Sequence, residues 1–512
     1  MTTTATTPTA TTAARPAAGE DERTGLPCYG GAGSDEVAVA PWPLLLRRRI
    51  TRRVERSSRS EWWVLWTVLG GLFSVNVTIT ILAVAMPRMA ADFHTTQNTM
   101  TWAVTAPLLA FGVAAPAMGK AGDIWGHRRI FVAGMAGAAI CAVLTALAWD
   151  TGSLIAVRAL GGVDNAATGA ASMAIIFGLF PPDQRVRAMG YWSLVGAGGP
   201  VLGVVLGAPV VEHVGWRWIF VGQVPLTVAG LVAAVLVLRE TQRDGSQRFD
   251  AAGAVTLMVA VTSVLFALNR GPDWGWTNPV VVGAFVLCPA FTAAFVWVER
   301  RAGSPVLPLP YLRRRNFTFP IANQVFANFA YMGGFILAPL LLRQVFGYDY
   351  DRIGLTVIAR PLTFAVAAPL GGYLALRVGE RTAAVAGTAL VAGSMLVFAS
   401  LDRSSVVSLI VLALGLSGLG LGLSSPSVAA LVANAVDDGD LGIASASQQL
   451  LTQVGLVAGI QLMETIQYSR TAAVGIVSAF HEAYLVGAVV CVLGVVAGAF
   501  VRSTTARPRP AP

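Results

Sequence analysis

The stretch GKAGDIWGHRR, Gly119 to Arg129, and a second stretch, GGYLALRVGER, Gly371 to Arg381, decide how this chain is organised. Gly119, Gly126 and Arg128 of the first recur at the same offsets as Gly372, Gly379 and Arg381 of the second. Each copy follows an apolar run of about 20 residues, the length a helix needs to cross a bilayer. Two copies of one loop predict a duplicated helical bundle. Parallel repeats about an axis along the membrane normal imply a transporter architecture, with the binding site between the halves.

Composition agrees with a bilayer as solvent. The chain has 512 residues, 55% hydrophobic and only 12% charged, about half the charge of an ordinary soluble domain. That excludes a soluble globule, a disordered chain and a nucleic-acid binder, despite the net charge of +9. Fourteen apolar runs are read, the first at 65–86 and the last at 482–502. Charge parity tests that count. With the amino terminus inside, 27 of the 36 Lys and Arg fall in cytoplasmic segments and 7 in outer loops, the bias that the positive-inside rule predicts. The expected layout is a disordered cytoplasmic tail (1–60), a six-helix bundle (61–240), two extra transmembrane helices (241–300), a second six-helix bundle (301–502) and a short cytoplasmic tail (503–512). The first tail has no short apolar run after an early positive charge, so no cleavable signal peptide is expected. The basic stretch Leu46 to Arg59 reads as a topology anchor. Cys28, Cys141, Cys288 and Cys491 are scattered, as small hydrophobes rather than a disulfide or metal set.

The loop Gly119 to Arg129 resembles the loop 2–3 signature of the major facilitator superfamily. In the resemblance Gly119 and Gly126 shape a tight turn, Asp123 faces a helix end, and Arg128 and Arg129 lock or release a carboxylate. Together they form a two-state latch, with Gly372, Gly379 and Arg381 as a second copy. Leu376 stands where that copy would carry its acid, so the second latch is expected to be weaker. Three further stretches look like the fourteen-spanner drug/proton antiporter family: GWRWIF (Gly215 to Phe220) with Pro225, GPDWGWTNP (Gly271 to Pro279), and VERRAGSPVLPLPYLRRRNF (Val298 to Phe317). Their Trp residues suit an interfacial aromatic belt. The resemblance implies an all-α membrane protein of the major facilitator fold, exporting amphiphilic compounds in exchange for protons.

Candidate site residues follow the same pattern. RALGGVDNAA (Arg158 to Ala167) resembles the family stretch whose arginine is tied to proton transfer. Arg158 matches it, and Asp164 replaces a glycine. Six residues on a helix turn through about 240°, so Arg158 and Asp164 do not share a face. Asp164 is expected to look toward a different helix and to serve as the titratable acid. GAGGPVLG (Gly196 to Gly203) resembles the antiporter helix-bend signature through Gly199, Pro200 and Gly203. Thr78 stands where the family carries an aspartate, which bears on coupling, and Asn76 nearby cannot titrate. Arg360 could balance Asp164 or meet an anionic group of the cargo. Asn323, Asn328, Gln448, Gln449 and Gln453 could line the cavity of the second half. One acid against two arginines makes the cavity charge nearly balanced.

The reading that results is a secondary-active efflux transporter of amphiphilic small molecules, driven by proton antiport and alternating access in a bacterial inner membrane. Its partners are a small-molecule substrate, protons and the lipid bilayer. The chain acts as a monomer, with no nucleic acid, cofactor or metal. Export without proton coupling, of lipid-like or anionic cargo, is the alternative. A polytopic membrane enzyme is disfavoured, because the histidines (His94, His127, His213, His481) are dispersed and the run Asp437, Asp438, Asp440 reads as a solvated loop.

Overall fold

Lipid offers a backbone no hydrogen-bonding partner, so a chain of this composition satisfies its N–H and C=O groups within helices. A computed structural model describes residues 60–78, 81–95, 97–240, 250–302 and 309–502. The tails expected at 1–60 and 503–512 lie outside the described residues, apart from Ser60. Sixteen α-helices and two short 3-10 turns make up the described structure, with no strand among these residues. They are α1 (Ser60–Asn76), α2 (Ile81–Asp92), α3 (Gln97–Trp125), α4 (His127–Ala146), α5 (Thr151–Leu179), α6 (Pro182–His213), α7 (Arg217–Val237), α8 (Ala251–Trp274), α9 (Pro279–Glu299), α10 (Arg315–Gln344), α11 (Tyr350–Val357), α12 (Ala359–Val378), α13 (Glu380–Ala399), α14 (Val407–Ala433), α15 (Leu441–Val474) and α16 (Ile476–Ala499).

Ten of the helical segments are long and apolar enough to cross a membrane. The four remaining apolar runs differ for a physical reason. The first, expected as one helix over 65–86, is two helices with a turn at Val77 and Thr78. The sequence there, Val-Thr-Ile-Thr-Ile, is β-branched throughout and disfavours a helix interior. The other three are α5, α6 and α15; in α5 and α15 small and polar residues such as Gly162, Ala166, Gly455 and Gln453 are buried within the protein. Another run is divided at Ile358, three residues before Pro361, whose ring excludes the helical hydrogen bond at that point.

The first half (α1–α7) and the second half (α10–α16) pack through α3 against α15 and through α6 against α12 and α14. The extra pair sits to one side, with α8 on α3 and α15, and α9 on α8. Apolar residues such as Val489 (64% exposed) and Val286 (62%) point outward, while Asn323, Gln324, Gln448 and Gln453 are buried. This inversion of a soluble protein suits a lipid surround. Both repeated loops turn at a glycine with positive φ, Gly126 (97°) and Gly379 (88°), a conformation that other residues rarely adopt.

The tryptophans correct one expectation. Trp218 and Trp274 are exposed, as a belt requires, but Trp216 is 1% exposed. Its indole N–H donates to Asp92 Oδ2 at 2.9 Å and its ring packs between Phe93 and Phe220. It plugs the end of the first half rather than lying in the interface, because its ring is enclosed by neighbouring rings while its N–H finds an acceptor at the rim.

Helices in lipid associate through close packing rather than hydrophobic burial, which selects small residues at crossings. Gly162 of α5 has the Pro107 backbone of α3 where a Cβ would be, whereas the Cβ position of Gly161 meets nothing nearer than Cys141 Cβ at 3.9 Å. Gly162→Ala should therefore destabilise the protein by about 1–3 kcal/mol through overpacking. Gly161→Ala should be neutral or stabilising by up to about 1 kcal/mol. Thermal unfolding of the two purified variants separates these outcomes, and equal drops in midpoint would reject this packing.

Candidate functional site

A cavity of about 350 Å³ lies between the halves, a volume suited to a drug-sized molecule. Helices α1 and α3 to α7 wall it on one side, and α10, α12, α14 and α15 on the other. Its lining is apolar and aromatic (Phe111, Trp192, Tyr331, Phe364) with interspersed amides and hydroxyls.

Several predicted residues meet there. Asn76, Thr78, Arg158, Asn328, Gln448, Gln449 and Gln453 all line the cavity. The turn that divides the first apolar run brings Thr78 to the wall. Three predicted residues do not line it. Asn323 is fully buried and donates to Thr388 Oγ1 (2.9 Å) and to the carbonyl of Gly494 (2.8 Å), tying α10 to α13 and α16. It is helix glue, satisfied by its neighbours. Arg360 is also fully buried, donating to Ser417 Oγ and lying over the Tyr331 ring at 4.2 Å. Asp164 points at α4, where it accepts a hydrogen bond from Cys141 Sγ at 3.2 Å and fills the space opposite Gly137. Arg360 and Asp164 therefore form no charge pair. Cys141 lines the cavity, so Asp164 borders it through that thiol.

Other lining residues were not singled out from sequence, among them Asn165, Gln223, Gln324, Ser193 and Ser425. The signal for Asn165 was present. It lies seven residues after Arg158, and two turns of helix return it to the same face. Gln324 stands in the same relation to Asn328, four residues away. Nothing in the local sequence marks Gln223, which reaches across to the carbonyl of Ser74 at 3.1 Å.

The loop copies sit at one end of the cavity. Asp123, buried, accepts from the N–H groups of Gly442 (2.9 Å) and Ile443 (3.1 Å), in the first turn of α15. These are amides that the helix itself leaves unpaired, and a carboxylate there is favoured by the helix dipole. His127 Nε2 lies 3.1 Å from the same carboxylate. Gly119 packs against Gly442 and Ala446, so close that only a residue without Cβ fits. Arg128 and Arg129 reach Glu240 at 3.6 and 3.5 Å, and Arg128 also donates to the carbonyl of Val235. They hold α4 to the end of α7 within one half; the acid, not the arginines, crosses between halves.

The second copy is related by symmetry but not in chemistry. Gly372 abuts the backbone of Val186 and Arg187 on α6, as Gly119 abuts α15. Leu376 replaces the acid, and the counterpart helix α6 already carries an acid, Asp183, in its first turn. Arg381 is exposed and has no hydrogen bond or ion pair to another described residue. Arg185 bridges instead, donating to the carbonyl of Phe177 (2.9 Å) in its own half and to Asn434 Oδ1 (3.0 Å) in the other. Ser445 adds a bond to the carbonyl of Ala170 at 3.1 Å. In the helix-bend signature, Gly199 faces Phe73 and Asn76 of α1, and an added Cβ would make ordinary contacts at 3.6–3.7 Å. Helix α6 runs unbroken through it; the side-chain surroundings of Pro200 and Gly203 lie outside the described residues.

Comparison with known proteins agrees with this geometry. The family model described as Major Facilitator Superfamily matches residues 68–349 and 321–512. The chain is 28% identical over 410 residues to the tetracenomycin C resistance and export protein of Streptomyces glaucescens, covering 80% of this chain and 76% of that one. It is 26% identical over 393 residues to the multidrug transporter protein MdtP of Bacillus subtilis, covering 77% and 72%. Among solved structures it resembles the human organic anion transporter MFSD10 with a TM-score of 0.65, over 86% of this chain and 99% of that one. At 17% identity that last likeness is one of fold alone. A two-half helical fold around a central cavity, with a family match spanning both halves, makes this chain a membrane transporter of the Major Facilitator Superfamily and not an enzyme.

Proposed function

We propose that this protein is an efflux transporter that exports amphiphilic small molecules from a bacterial cell across its inner membrane in exchange for protons. It makes fourteen crossings, as two six-helix bundles and an extra pair, with both termini in the cytoplasm, and it acts as a monomer. The observation that carries this reading is a central cavity between halves that are fastened at one end by a carboxylate on a helix terminus. The resistance and export names of bacterial relatives support efflux as the direction.

The latch supplies the alternating step. Asp123 contributes two charge-assisted hydrogen bonds across the halves, each worth about 1.5–3 kcal/mol. They hold the end bearing Gly119 to Arg129 shut while cargo leaves at the other end. When the halves rock, α15 draws its first turn away, and Asp123 falls back on His127. That local partner keeps the carboxylate from being stranded, so the open state stays accessible.

Asp164 is the proton site. Among the described residues it is the carboxylate on the central helices that borders the cavity, through Cys141. Thr78 removes the acid the resemblance would place on the first helix, which leaves this role to α5. A membrane potential supplies about 2.3 kcal/mol per proton per 100 mV, roughly a 50-fold concentration ratio for each proton exchanged.

Two measurements in proteoliposomes test this. Asp164→Asn should abolish efflux driven by an imposed pH gradient while cargo counterflow persists; undiminished pH-driven efflux would remove Asp164 from the mechanism. Asp123→Asn should slow turnover about tenfold, from the loss of about 1.5 kcal/mol at the latch, with cargo affinity unchanged within about twofold. An equal fall in affinity and turnover would show that Asp123 acts on the site and not on the gate.

A further inference from the structure

Two guanidinium groups lie deep between the helices with no carboxylate beside either. Arg158 projects into the cavity. Its Nε donates to the carbonyl of Ala103 at 3.3 Å and its head lies 5.8 Å from the Phe220 ring centre. Its two terminal nitrogens have no hydrogen-bond partner among the described residues. Arg360 lies behind the cavity wall, its head over Tyr331, which is itself a lining residue. Arg360 Nε and Nη1 are buried without a hydrogen-bond partner. Asp164, which the sequence placed in the same charge account, is turned onto α4 and bonded to Cys141. Arg158 is thus the only charged side chain among the described lining residues, which hold no Asp or Glu.

A charge in such a place is costly, about 2.5–3.5 kcal/mol even on the mild insertion scale. A ligand carrying the opposite charge recovers that energy, and it does so most strongly where water is excluded. The guanidinium fork, with both terminal nitrogens free, matches the two oxygens of a carboxylate. Around it, the amides of Asn165, Gln324, Asn328, Gln449 and Gln453 can bond to carbonyl and hydroxyl oxygens, while Phe111 and Phe364 offer ring faces.

We propose that the cargo is an anionic amphiphile: a planar aromatic body bearing a carboxylate or an ionised acidic hydroxyl. Arg158 holds the anionic group, and Arg360 adds to the positive field from behind Tyr331. This rests on the exporter reading and fixes the charge class that reading leaves open. A cation in the same cavity meets two unneutralised guanidiniums. The charge class also sets the energetics. An anion leaving a cell that is negative inside moves down the electrical gradient, so exchange of a monoanion for one proton carries two charges per cycle.

The test uses fluorescein, an anion, and rhodamine 6G, a cation on the same xanthene frame. Binding to the purified full-length protein is read by fluorescence polarisation. Wild type should bind fluorescein at least about tenfold more tightly than rhodamine 6G. Arg158→Gln should weaken fluorescein about tenfold or more and leave rhodamine 6G equal or tighter, while Arg158→Lys, which keeps the charge but loses the fork, should bind fluorescein between the two. Unchanged fluorescein binding in Arg158→Gln would overturn the proposal. So would a wild-type preference for rhodamine 6G, which needs no variant to fold. Proteoliposomes separate the two levels of inference. Export of rhodamine 6G without fluorescein overturns the charge class and leaves the exporter intact. Binding of both dyes with transport of neither overturns the exporter, and this proposal with it.

Discussion

Lipid cannot hydrogen-bond, so polar groups on the membrane helices are drawn to partners inside the protein or to the cavity. That constraint sorts the polar residues into two sets. Asn323 finds Thr388 and Gly494, Ser394 finds the carbonyl of Ala413, and Trp216 finds Asp92. These are closed pairs that hold helices together. Arg158 is left open by the fold, and with the amides around it gives the cavity its chemistry. Polar groups that line the cavity and that the protein does not satisfy are the ones available to a ligand.

The same constraint explains why the two halves are unequal although their loops are copies. A buried carboxylate needs donors, and the first turn of α15 has them, so Asp123 is kept. The first turn of α6 carries an acid of its own, Asp183, which disfavours a second carboxylate at that terminus. Leucine there is the consistent choice. Arg185 and Asn434 take over the fastening on that side with bonds that involve no carboxylate.

The fold was legible because it rests on periodic and global features: apolar run length, charge parity and a loop repeated at fixed offsets. The site was legible only in part, because a polar residue on a membrane helix does not announce which neighbour it faces. Asn323 and Asn328 are five residues apart, about 500° of turn, which leaves them some 140° apart around the helix; one bonds α13 and α16, the other lines the cavity. Once one cavity residue is fixed the rest of its helix follows, as Gly161, Asn165 and Gly169 follow from Arg158. What fixes the first is the packing of whole helices, which no local pattern contains. Trp216 failed for the same reason: its partner Asp92 lies on a different helix.

Helix α5 brings the two proposed functions together without mixing them. Arg158 faces the cavity and Asp164 faces α4, on different sides of one rigid element. A proton that neutralises Asp164 alters its packing against Gly137 and Cys141, where a Cβ at Gly137 would leave the carboxylate no room. With so little slack, the proposed mechanism has the change transmitted as a shift of α5 against α4 rather than absorbed locally. That shift moves Arg158 and its neighbours in the cavity wall. In the proposed mechanism cargo and proton therefore do not compete for one residue; they act on different faces of the same helix, and the helix is the coupling.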